Sequence, residues 1–264
     1  MRWLLPVCLT LAATPVLAGA TPWQEIAPGV KARLISADTV NAGTSLAGLE
    51  LDMPSTTNIY WRMPGETGIP TVFDFAGSSG LGEPSVAWPI PEIDRSKGYL
   101  DYVYRGPTVL PIALMPDSAK AMLVVRVTLG VCSDMCAPAA ASFALPIAFD
   151  KPDPGQSIRL DQAEANVPIP WDRPGNPVGG VMATPEGLAL AAPDPSIDPA
   201  SLIVEVGDPS ILFETPQKSP DGALWNLRSL GGVGAGELEG RAIQLTFNTP
   251  AGPYTVSRQV AAGR

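Results

Sequence analysis

The stretch MLVVRVTLGVCSDMCAPAAASFALPIAF, residues 122–149, has large apolar side chains at every second position on both sides of a cysteine pair. They share one parity before the pair, at Leu123, Val125, Val127 and Leu129, and one parity after it, at Phe143, Leu145, Ile147 and Phe149. Because successive side chains of a strand point to opposite faces, this pattern predicts two half-buried strands that bracket the cysteine loop.

The two cysteines of this loop, Cys132 and Cys136, are separated by three residues. If the first strand continues regularly, Cys132 has the parity of Arg126 and Thr128, which is the wetter face. We therefore expect both thiols near the surface, at a sheet edge or hairpin end, unless a bulge at Gly130 reverses the parity.

Similar short runs of β-branched, aromatic and leucine residues occupy most of the chain, between turns rich in its 30 prolines and 26 glycines. This spacing predicts an all-β protein in which only residues 160–166 are briefly helical. Residues 151–180 are the most loop-like region and divide the strands into two groups of a size usual for a β-sandwich. We therefore expect two sandwiches in tandem, residues 21–150 with the cysteine pair and residues 181–264 without cysteine.

The first twenty residues have the features of a secretory signal peptide. They combine one basic residue, Arg2, with an apolar run from Trp3 to Leu17 and with small residues suited to cleavage at Val16, Ala18 and Ala20. Prolines interrupt the apolar run, which makes it shorter than the roughly 20 residues that a membrane span needs. We expect residues 1–20 to be removed on export and a bacterial periplasm to be the compartment.

Composition narrows the classes of function. The chain has no histidine, which excludes Ser-His-Asp and Cys-His catalysis and the usual zinc ligand sets. Its net charge of −9 disfavours binding to nucleic acid or anionic lipid. No later stretch of the chain is apolar over about 18 residues, so we expect no membrane span in the mature protein.

The spacing of the cysteine pair leaves several functions open. In an oxidising compartment the two thiols should close into a disulfide. As a structural bond it is weak, because closing a five-residue loop contributes roughly 2 kcal/mol in the chain-entropy model. A secreted disulfide is nevertheless more often structural than catalytic, so spacing alone favours a structural disulfide slightly over a redox centre.

A metal site is the third alternative, since Met135 lies between the cysteines and soft sulfur ligands suit Cu(I). Met135 and Cys136 are adjacent, however, and in a strand they would point to opposite faces. The other methionines are scattered along the chain and fit core positions better. We therefore predict no metal and no cofactor, and keep Cu(I) binding as a minority alternative.

Four segments, in the same order as in a known family, give the cysteine pair a more specific context. They are NIYWRMPGETGIPTVFDFAGSSGL at 58–81, AWPIPE at 87–92, YVYRGPTVLPI at 102–112 and VTLGVCSDMCAPAAASFALPI at 127–147. Together they resemble the periplasmic N-terminal domain of DsbD-type thiol:disulfide interchange proteins, especially the longer variants related to the suppressor-of-copper-sensitivity B proteins. The resemblance covers roughly residues 26–150 and is faint from residue 151 onward, where a second cysteine-free sandwich would still fit the longer variants.

The resemblance implies an immunoglobulin-like sandwich whose cysteine pair carries electrons from a membrane thiol transporter to thioredoxin-fold periplasmic proteins. Cys136 matches the cysteine that forms the mixed disulfide with partners, and Cys132 matches the resolving cysteine. A shielding aromatic loop of the family corresponds to residues 96–104, in which Tyr99 or Tyr102 could cover the pair. Copper tolerance, or a non-catalytic interaction module with a structural disulfide, remains the alternative.

The residues beside the pair do not favour a strongly activated thiol. No lysine or arginine is adjacent, and Asp134 would oppose formation of a thiolate by like-charge repulsion. We expect a pair that reacts mainly when a specific partner positions it. The membrane and thioredoxin-like domains that follow in full-length family members are missing from these 264 residues. We therefore expect either that a separate membrane protein supplies the electrons, or that the domain has been retained for another role, such as copper handling or binding a redox partner without turnover.

Overall fold

The computed structural model of the chain describes residues 19–133 and 135–263, and most of the ordered elements in it are β-strands. Most of the predicted signal peptide, and also Asp134, lie outside these residues. The strands of the N-terminal half are β1 (Gln24–Ala27), β2 (Val30–Ser36), β3 (Ser45–Asp52), β4 (Asn58–Gly65), β5 (Val72–Asp74), β6 (Ser85–Val86), β7 (Glu92–Asp94), β8 (Asp101–Arg105), β9 (Thr108–Leu114), β10 (Lys120–Cys132) and β11 (Cys136–Ala148).

These strands form two sheets that enclose one core. The first sheet has the order β1-β2-β3-β9-β6, and the second has the order β11-β10-β4-β8-β7 with β5 paired to β10. Buried residues of both sheets, such as Leu49 from the first and Trp61 and Leu123 from the second, belong to a single cluster. The predicted all-β sandwich is confirmed.

The hairpin of β10 and β11 carries the predicted alternation. Thirteen residue pairs are in continuous antiparallel register, from Lys120 opposite Ala148 to Cys132 opposite Cys136. The predicted core positions of β10 are all buried, and those of β11 are buried except for the partly exposed Phe149, which follows the strand. No bulge interrupts the register, so the cysteines stand at the far end of a regular two-stranded ribbon.

A helix occupies part of the region expected to be loop-like. Helix α1 (Pro154–Glu164) begins six residues before the helical stretch predicted from the sequence. Asp153 caps it by accepting hydrogen bonds from the backbone nitrogens of Gly155 and Gln156, at 3.0 and 3.1 Å. A capping Asp before a Pro is a helix-start signal, which explains why a segment that resembles a turn is helical. Leu160 is fully buried and anchors α1 against β2, β3 and β9.

The C-terminal half forms one sheet around its own core. Its elements are β12 (Ile169–Pro170), β13 (Gly180–Thr184), β14 (Gly187–Ala191), β15 (Ile203–Glu205), β16 (Gln217–Lys218), β17 (Leu224–Arg228), a short helix α2 (Ala235–Leu238), β18 (Ala242–Thr249) and β19 (Gly252–Ala261). The strand order is β15-β18-β19-β13-β14-β17-β16, with β12 paired to β19. Its buried cluster is drawn from residues 178–260. Across the part of the chain that the structure describes, no helix is both long and apolar enough to cross a membrane.

The two halves are in direct contact. Ile203 and Leu212 of the C-terminal half are buried in the cluster of the N-terminal sandwich. Arg62 on β4 donates from Nη2 to both carboxylate oxygens of Glu205, at 2.7 and 2.8 Å, and its guanidinium lies 4.2 Å from the ring centroid of Trp61. The division at residues 151–180 remains our proposal, and the contact means that the two units would be packed against each other.

Candidate functional site

The cysteine pair closes the end of the β10–β11 hairpin. Cys132 is the last residue of β10, Cys136 is the first residue of β11, and the two are directly opposite in the register. They form a disulfide bond, with their Cα atoms 4.1 Å apart. The backbone nitrogen of Ser133 donates to the carbonyl oxygen of Met135 at 3.2 Å, within the connecting turn.

The two sulfur-bearing residues differ in their access to solvent. Cys136 is exposed, whereas only 1% of the surface of Cys132 is accessible. The prediction that both thiols lie near the surface is therefore correct for Cys136 and wrong for Cys132. An external thiolate can reach the bond from the side of Cys136 only.

The burial of Cys132 results from residues that are distant in sequence. Its parity is that of Arg126 and Thr128, as predicted, but at this end of β10 the outer face is covered. Tyr60 on β4 and Val103 on β8 form a buried cluster with Cys132. The strand alternation therefore predicts the face of Cys132 correctly. The predicted exposure is wrong because the outer face of β10 is not accessible to solvent along its whole length.

Gly130 permits this cover to approach closely. A Cβ atom at position 130 would lie 2.8 Å from the Cβ of Ile69 and 3.1 Å from Cδ2 of Tyr60. The first of these distances is too short for two carbon atoms in van der Waals contact. A side chain of any size at this position would therefore push the cover away from the strand.

Tyr60 is the polar residue of the site that the sequence did not identify. Its hydroxyl oxygen lies 3.0 Å from Sγ of Cys132 and 3.5 Å from Sγ of Cys136. Because disulfide sulfurs carry no hydrogen, the tyrosine O–H is the donor in this state. A signal was present in the segment NIYW, where Ile59 and Trp61 face the core and a large aromatic residue lies between them on the opposite face.

The predicted shielding tyrosines lie elsewhere. Tyr102 is 2% exposed and packs edge-to-face on Trp61 in the sandwich core, with ring centroids 5.9 Å apart. Burial raises the pKa of its hydroxyl. Its neighbour Val103, on the other face of β8, is the residue that contacts Cys132, so the assignment of Tyr102 as the shield is wrong.

Tyr99 is exposed and lines a cleft of about 390 Å³ together with Glu66, Arg95 and Glu214. The residues that line this cleft include neither cysteine. Within residues 96–104, the residue that packs against the buried cysteine is Val103, and the aromatic residue over that sulfur is Tyr60 from β4.

A basic residue, Arg105, lies two strands from Cys132 in the same sheet and is neutralised by its neighbours. Asn58 is opposite Cys132, and Arg105 is opposite Asn58, so all three side chains share one face. Arg105 donates to Glu92 at 3.0 Å and also to Asp94. Burial acts to raise the pKa of Asp94, but hydrogen bonds from Ser96 and Arg105 outweigh it and lower that pKa. The guanidinium is thus paired with two carboxylates. This pairing agrees with the expectation that the cysteine thiols are only weakly activated.

The residues around the pair offer little to a metal ion. Met135 is 83% exposed, and within residues 19–133 and 135–263 no group of three or more His, Cys, Asp or Glu side chains could hold one. A Cu(I) site would also need both cysteines as free thiolates, so copper binding and the observed disulfide exclude each other. The chemistry that the observed arrangement supports is thiol–disulfide exchange.

Comparisons with known proteins show a similarity in fold. No family model matches the chain, and neither does any curated protein. Among solved structures, the chain is similar to the crystal structure of the N-terminal periplasmic domain of ScsB from Proteus mirabilis. The TM-score is 0.66 at 20% sequence identity, over 94% of this chain and 100% of that chain.

The alignment reaches beyond the segments that carry the sequence resemblance. Because it covers 94% of the chain, it includes the C-terminal half, in which the sequence similarity is faint. ScsB is a DsbD-like protein, so the resemblance stated from the sequence is confirmed at the level of the fold. The chain therefore has the fold of the N-terminal periplasmic domain of a DsbD-like protein.

Proposed function

We propose that this chain is a periplasmic thiol:disulfide exchange protein whose redox centre is Cys132 and Cys136. The observation that carries the proposal is the asymmetry of the disulfide, with one sulfur exposed and the other buried under a tyrosine hydroxyl. A purely structural bond needs neither feature. Exchange requires one sulfur that a partner can reach and a second sulfur that can leave as a thiolate, and the exposed Cys136 and the Tyr60 hydroxyl beside Cys132 match these two requirements.

Reduction of the disulfide would begin at Cys136. A partner thiolate attacks Sγ of Cys136, the Cys132–Cys136 bond breaks, and a mixed disulfide forms between the partner and Cys136. The electron pair of the broken bond remains on Cys132 as a thiolate. The Tyr60 hydroxyl, 3.0 Å away, donates a hydrogen bond to this charge, which burial would otherwise disfavour. A second partner thiol then displaces Cys136, and this chain is left as a dithiol.

Delivery of electrons is the reverse sequence with a different partner. The Cys136 thiolate attacks the partner's disulfide, one partner sulfur leaves as a thiolate, and a mixed disulfide forms. Cys132, as a thiolate, then attacks Sγ of Cys136 and releases the second partner sulfur. Two electrons pass to the partner, and the disulfide of this chain is restored.

The compartment and the partners follow from the same proposal. The signal peptide predicted at the N-terminus directs export, the donor is a membrane thiol-electron transporter, and the acceptors are thioredoxin-fold proteins of the periplasm. The fold of the DsbD-like ScsB domain supports this assignment, and the exposed Cys136 gives such partners a sulfur to attack.

Trapping the mixed disulfide tests the roles of the two cysteines. In Cys132→Ser the resolving thiol is missing, so a complex with an oxidised thioredoxin-fold protein should accumulate and be visible on a non-reducing gel. Peptide mass spectrometry should place the linkage at Cys136. The matched control, Cys136→Ser, should trap little because its remaining thiol is buried; equal trapping by both variants would contradict the assigned roles.

The reduction potential tests the redox function itself. We expect equilibrium with a glutathione or thioredoxin couple to reduce the bond at a potential above about −300 mV, the limit below which structural disulfides of secreted proteins lie. A lower potential, together with partner binding that is unchanged in a Cys132→Ser, Cys136→Ser double variant, would instead establish an interaction module with a structural disulfide.

A further inference from the structure

The first described residues of the chain are built into the fold. The backbone nitrogen of Ser36 donates to the carbonyl oxygen of Gly19 at 2.7 Å, and Ala20 forms a β-bridge with Ile35. Ala20 is 2% exposed and packs in a cluster with Ile35, Ala37 and Leu160. Gly19 and Ala20 therefore behave as part of the N-terminal sandwich, although the sequence pattern assigns them to the signal peptide.

Asp153, the capping residue of α1, lies directly beside Gly19. A Cβ atom at position 19 would be 2.9 Å from Oδ2 of Asp153. Since the N–Cα bond is about 1.5 Å long, the nitrogen of Gly19 lies within about 6 Å of that oxygen. Oδ1 of Asp153 accepts the two capping hydrogen bonds of the helix, which leaves Oδ2 directed at the start of the chain.

A second carboxylate lies at the same place. The backbone nitrogen of Asp153 donates to the carbonyl oxygen of Ala37 at 3.1 Å, which brings Asp38 next to it. Asp38 is 3% exposed, and its Oδ1 has no hydrogen-bond partner among the described residues. Burial raises the pKa of Asp38; a hydrogen bond with Ser36 opposes this effect, and the charge of Asp153 adds to it.

Two adjacent carboxylates without a cation are unfavourable when one of them is buried. Within residues 19–133 and 135–263, neither Asp38 nor Asp153 takes part in a salt bridge with a lysine or arginine. The nitrogen of Gly19, which lies beside Asp153, could supply a positive charge here. That nitrogen is neutral while it is part of a peptide bond, and it becomes an ammonium if the chain begins at Gly19.

We propose that the export signal is cleaved between Ala18 and Gly19, and that the new α-ammonium of Gly19 pairs with Asp153 and Asp38. The inference rests on the proposed export of the chain. Hydrolysis of the Ala18–Gly19 bond consumes one water and yields a carboxylate on Ala18 and an amine on Gly19, which is protonated at neutral pH. Val16 and Ala18 supply small residues at positions −3 and −1, as cleavage requires.

Cleavage after Ala20, the boundary expected from the sequence, fits the fold less well. It matches the A-x-A pattern through Ala18 and Ala20. It would, however, remove Ala20 from its buried cluster and turn the nitrogen of Thr21 into an ammonium. That nitrogen already donates to the carbonyl oxygen of Leu34 at 2.9 Å, and Thr21 is buried, so the added charge would be desolvated.

Intact mass and N-terminal sequencing of the exported protein test the cleavage site. The full precursor is expressed in a Gram-negative host, and the mature chain is recovered from the periplasm. We expect an N-terminus at Gly19. An N-terminus at Thr21 overturns the inference and leaves the redox proposal intact, whereas an uncleaved chain retained in the cytoplasm overturns both the inference and the proposed compartment.

A stability cycle tests the ion pair. A chain that begins at Gly19 is compared with a chain that carries Ser-Ala before Gly19, each with and without Asp153→Asn, a change that keeps the capping oxygen and removes the charge. We expect the substitution to lower Tm by about 2–4 °C in the first chain only. The control is Asp161→Asn, an exposed carboxylate on the same helix, which should affect neither chain. An equal loss in both chains overturns the pairing.

Discussion

Two parts of the outer face of β10 differ although they belong to one strand. Near its middle, Arg126 and Thr128 are exposed, and Arg126 bonds at 3.2 Å to Asp74 on the short strand β5. Near its end, Gly130 and Cys132 have the same parity and are buried beneath Ile69, Tyr60 and Val103. The difference teaches that strand alternation decides which face a cysteine joins, whereas distant residues decide whether that face is dry.

The covered end is the chemically distinctive part of the strand. A thiolate formed on Cys132 would be out of water, so its energy would depend strongly on the Tyr60 hydroxyl directed at it. A charge formed at the position of Thr128 would instead be screened by solvent. Three substitutions test this comparison, in order of decreasing expected effect, and the first two are each paired with a control substitution.

Gly130→Ala should remove the difference between the two parts of the face. The new methyl group would contact Ile69 at an impossible distance, so the cover must move outward, at a cost of about 1–3 kcal/mol in the free energy of unfolding. In the reduced protein, Cys132 should then be alkylated faster. Urea unfolding and timed alkylation with mass spectrometry measure the two effects.

Thr128→Ala is the matched control on the open part of the same face. We expect it to change the free energy of unfolding by no more than about 0.5 kcal/mol and to leave the alkylation rate of Cys132 unchanged. If Gly130→Ala behaves like Thr128→Ala, Gly130 does not control access to the buried sulfur.

Tyr60→Phe should keep the cover and remove its hydrogen bond. A hydrogen bond to a charged group contributes about 1.5–3 kcal/mol, so loss of the donor to the Cys132 thiolate should slow exchange roughly tenfold or more. Stopped-flow measurement of disulfide reduction by a small dithiol gives the rate. The pH at which the reduced pair becomes reactive should also rise, because the thiolate loses its donor.

Tyr104→Phe provides the control for a buried tyrosine hydroxyl. Tyr104 donates to the carbonyl oxygen of Pro89 at 2.7 Å and does not belong to the cluster around Cys132. Loss of this hydrogen bond should lower the free energy of unfolding by about 1 kcal/mol without slowing exchange. Equal slowing in both variants would mean that the effect of Tyr60→Phe is structural and not chemical.

Arg126→Ala should have the smallest effect, since both members of its pair with Asp74 are more than half exposed. The backbone N–H of Ala76 lowers the pKa of Asp74, and Arg126 assists. Any stabilisation from this ion pair is therefore present above pH 3.8, the ordinary pKa of the carboxyl group. It is lost as the pH falls through the lowered pKa of Asp74 in the folded protein. We expect Arg126→Ala and the unchanged protein to have equal Tm values by calorimetry, both at neutral pH and at acidic pH. A large decrease in the Tm of the variant would contradict the view that this part of the face is open.

The sequence predicts local features of this molecule well. The alternation in β10 and β11 identified the core positions, and the parity of Cys132 was correct, because both depend only on strand geometry. The helix α1 begins earlier than the sequence predicts, because the capping Asp153 and the Pro that follows it lie in the segment that the sequence indicates to be loop-like. The cluster over Cys132 was missed because Tyr60 is 72 residues away, and no local pattern specifies which distant strand covers a face.

The paired contact between Arg62 and Glu205 has a practical consequence for dissecting this protein. The N-terminal unit, if produced alone by ending the chain within residues 151–180, would lose Ile203 and Leu212 from its core and leave Arg62 without its carboxylate. The apolar surface exposed in this way would favour self-association. Arg62 is also only two residues from Tyr60 on β4, so in a shortened protein the strand that carries Tyr60 to the disulfide would have lost the contact with Glu205.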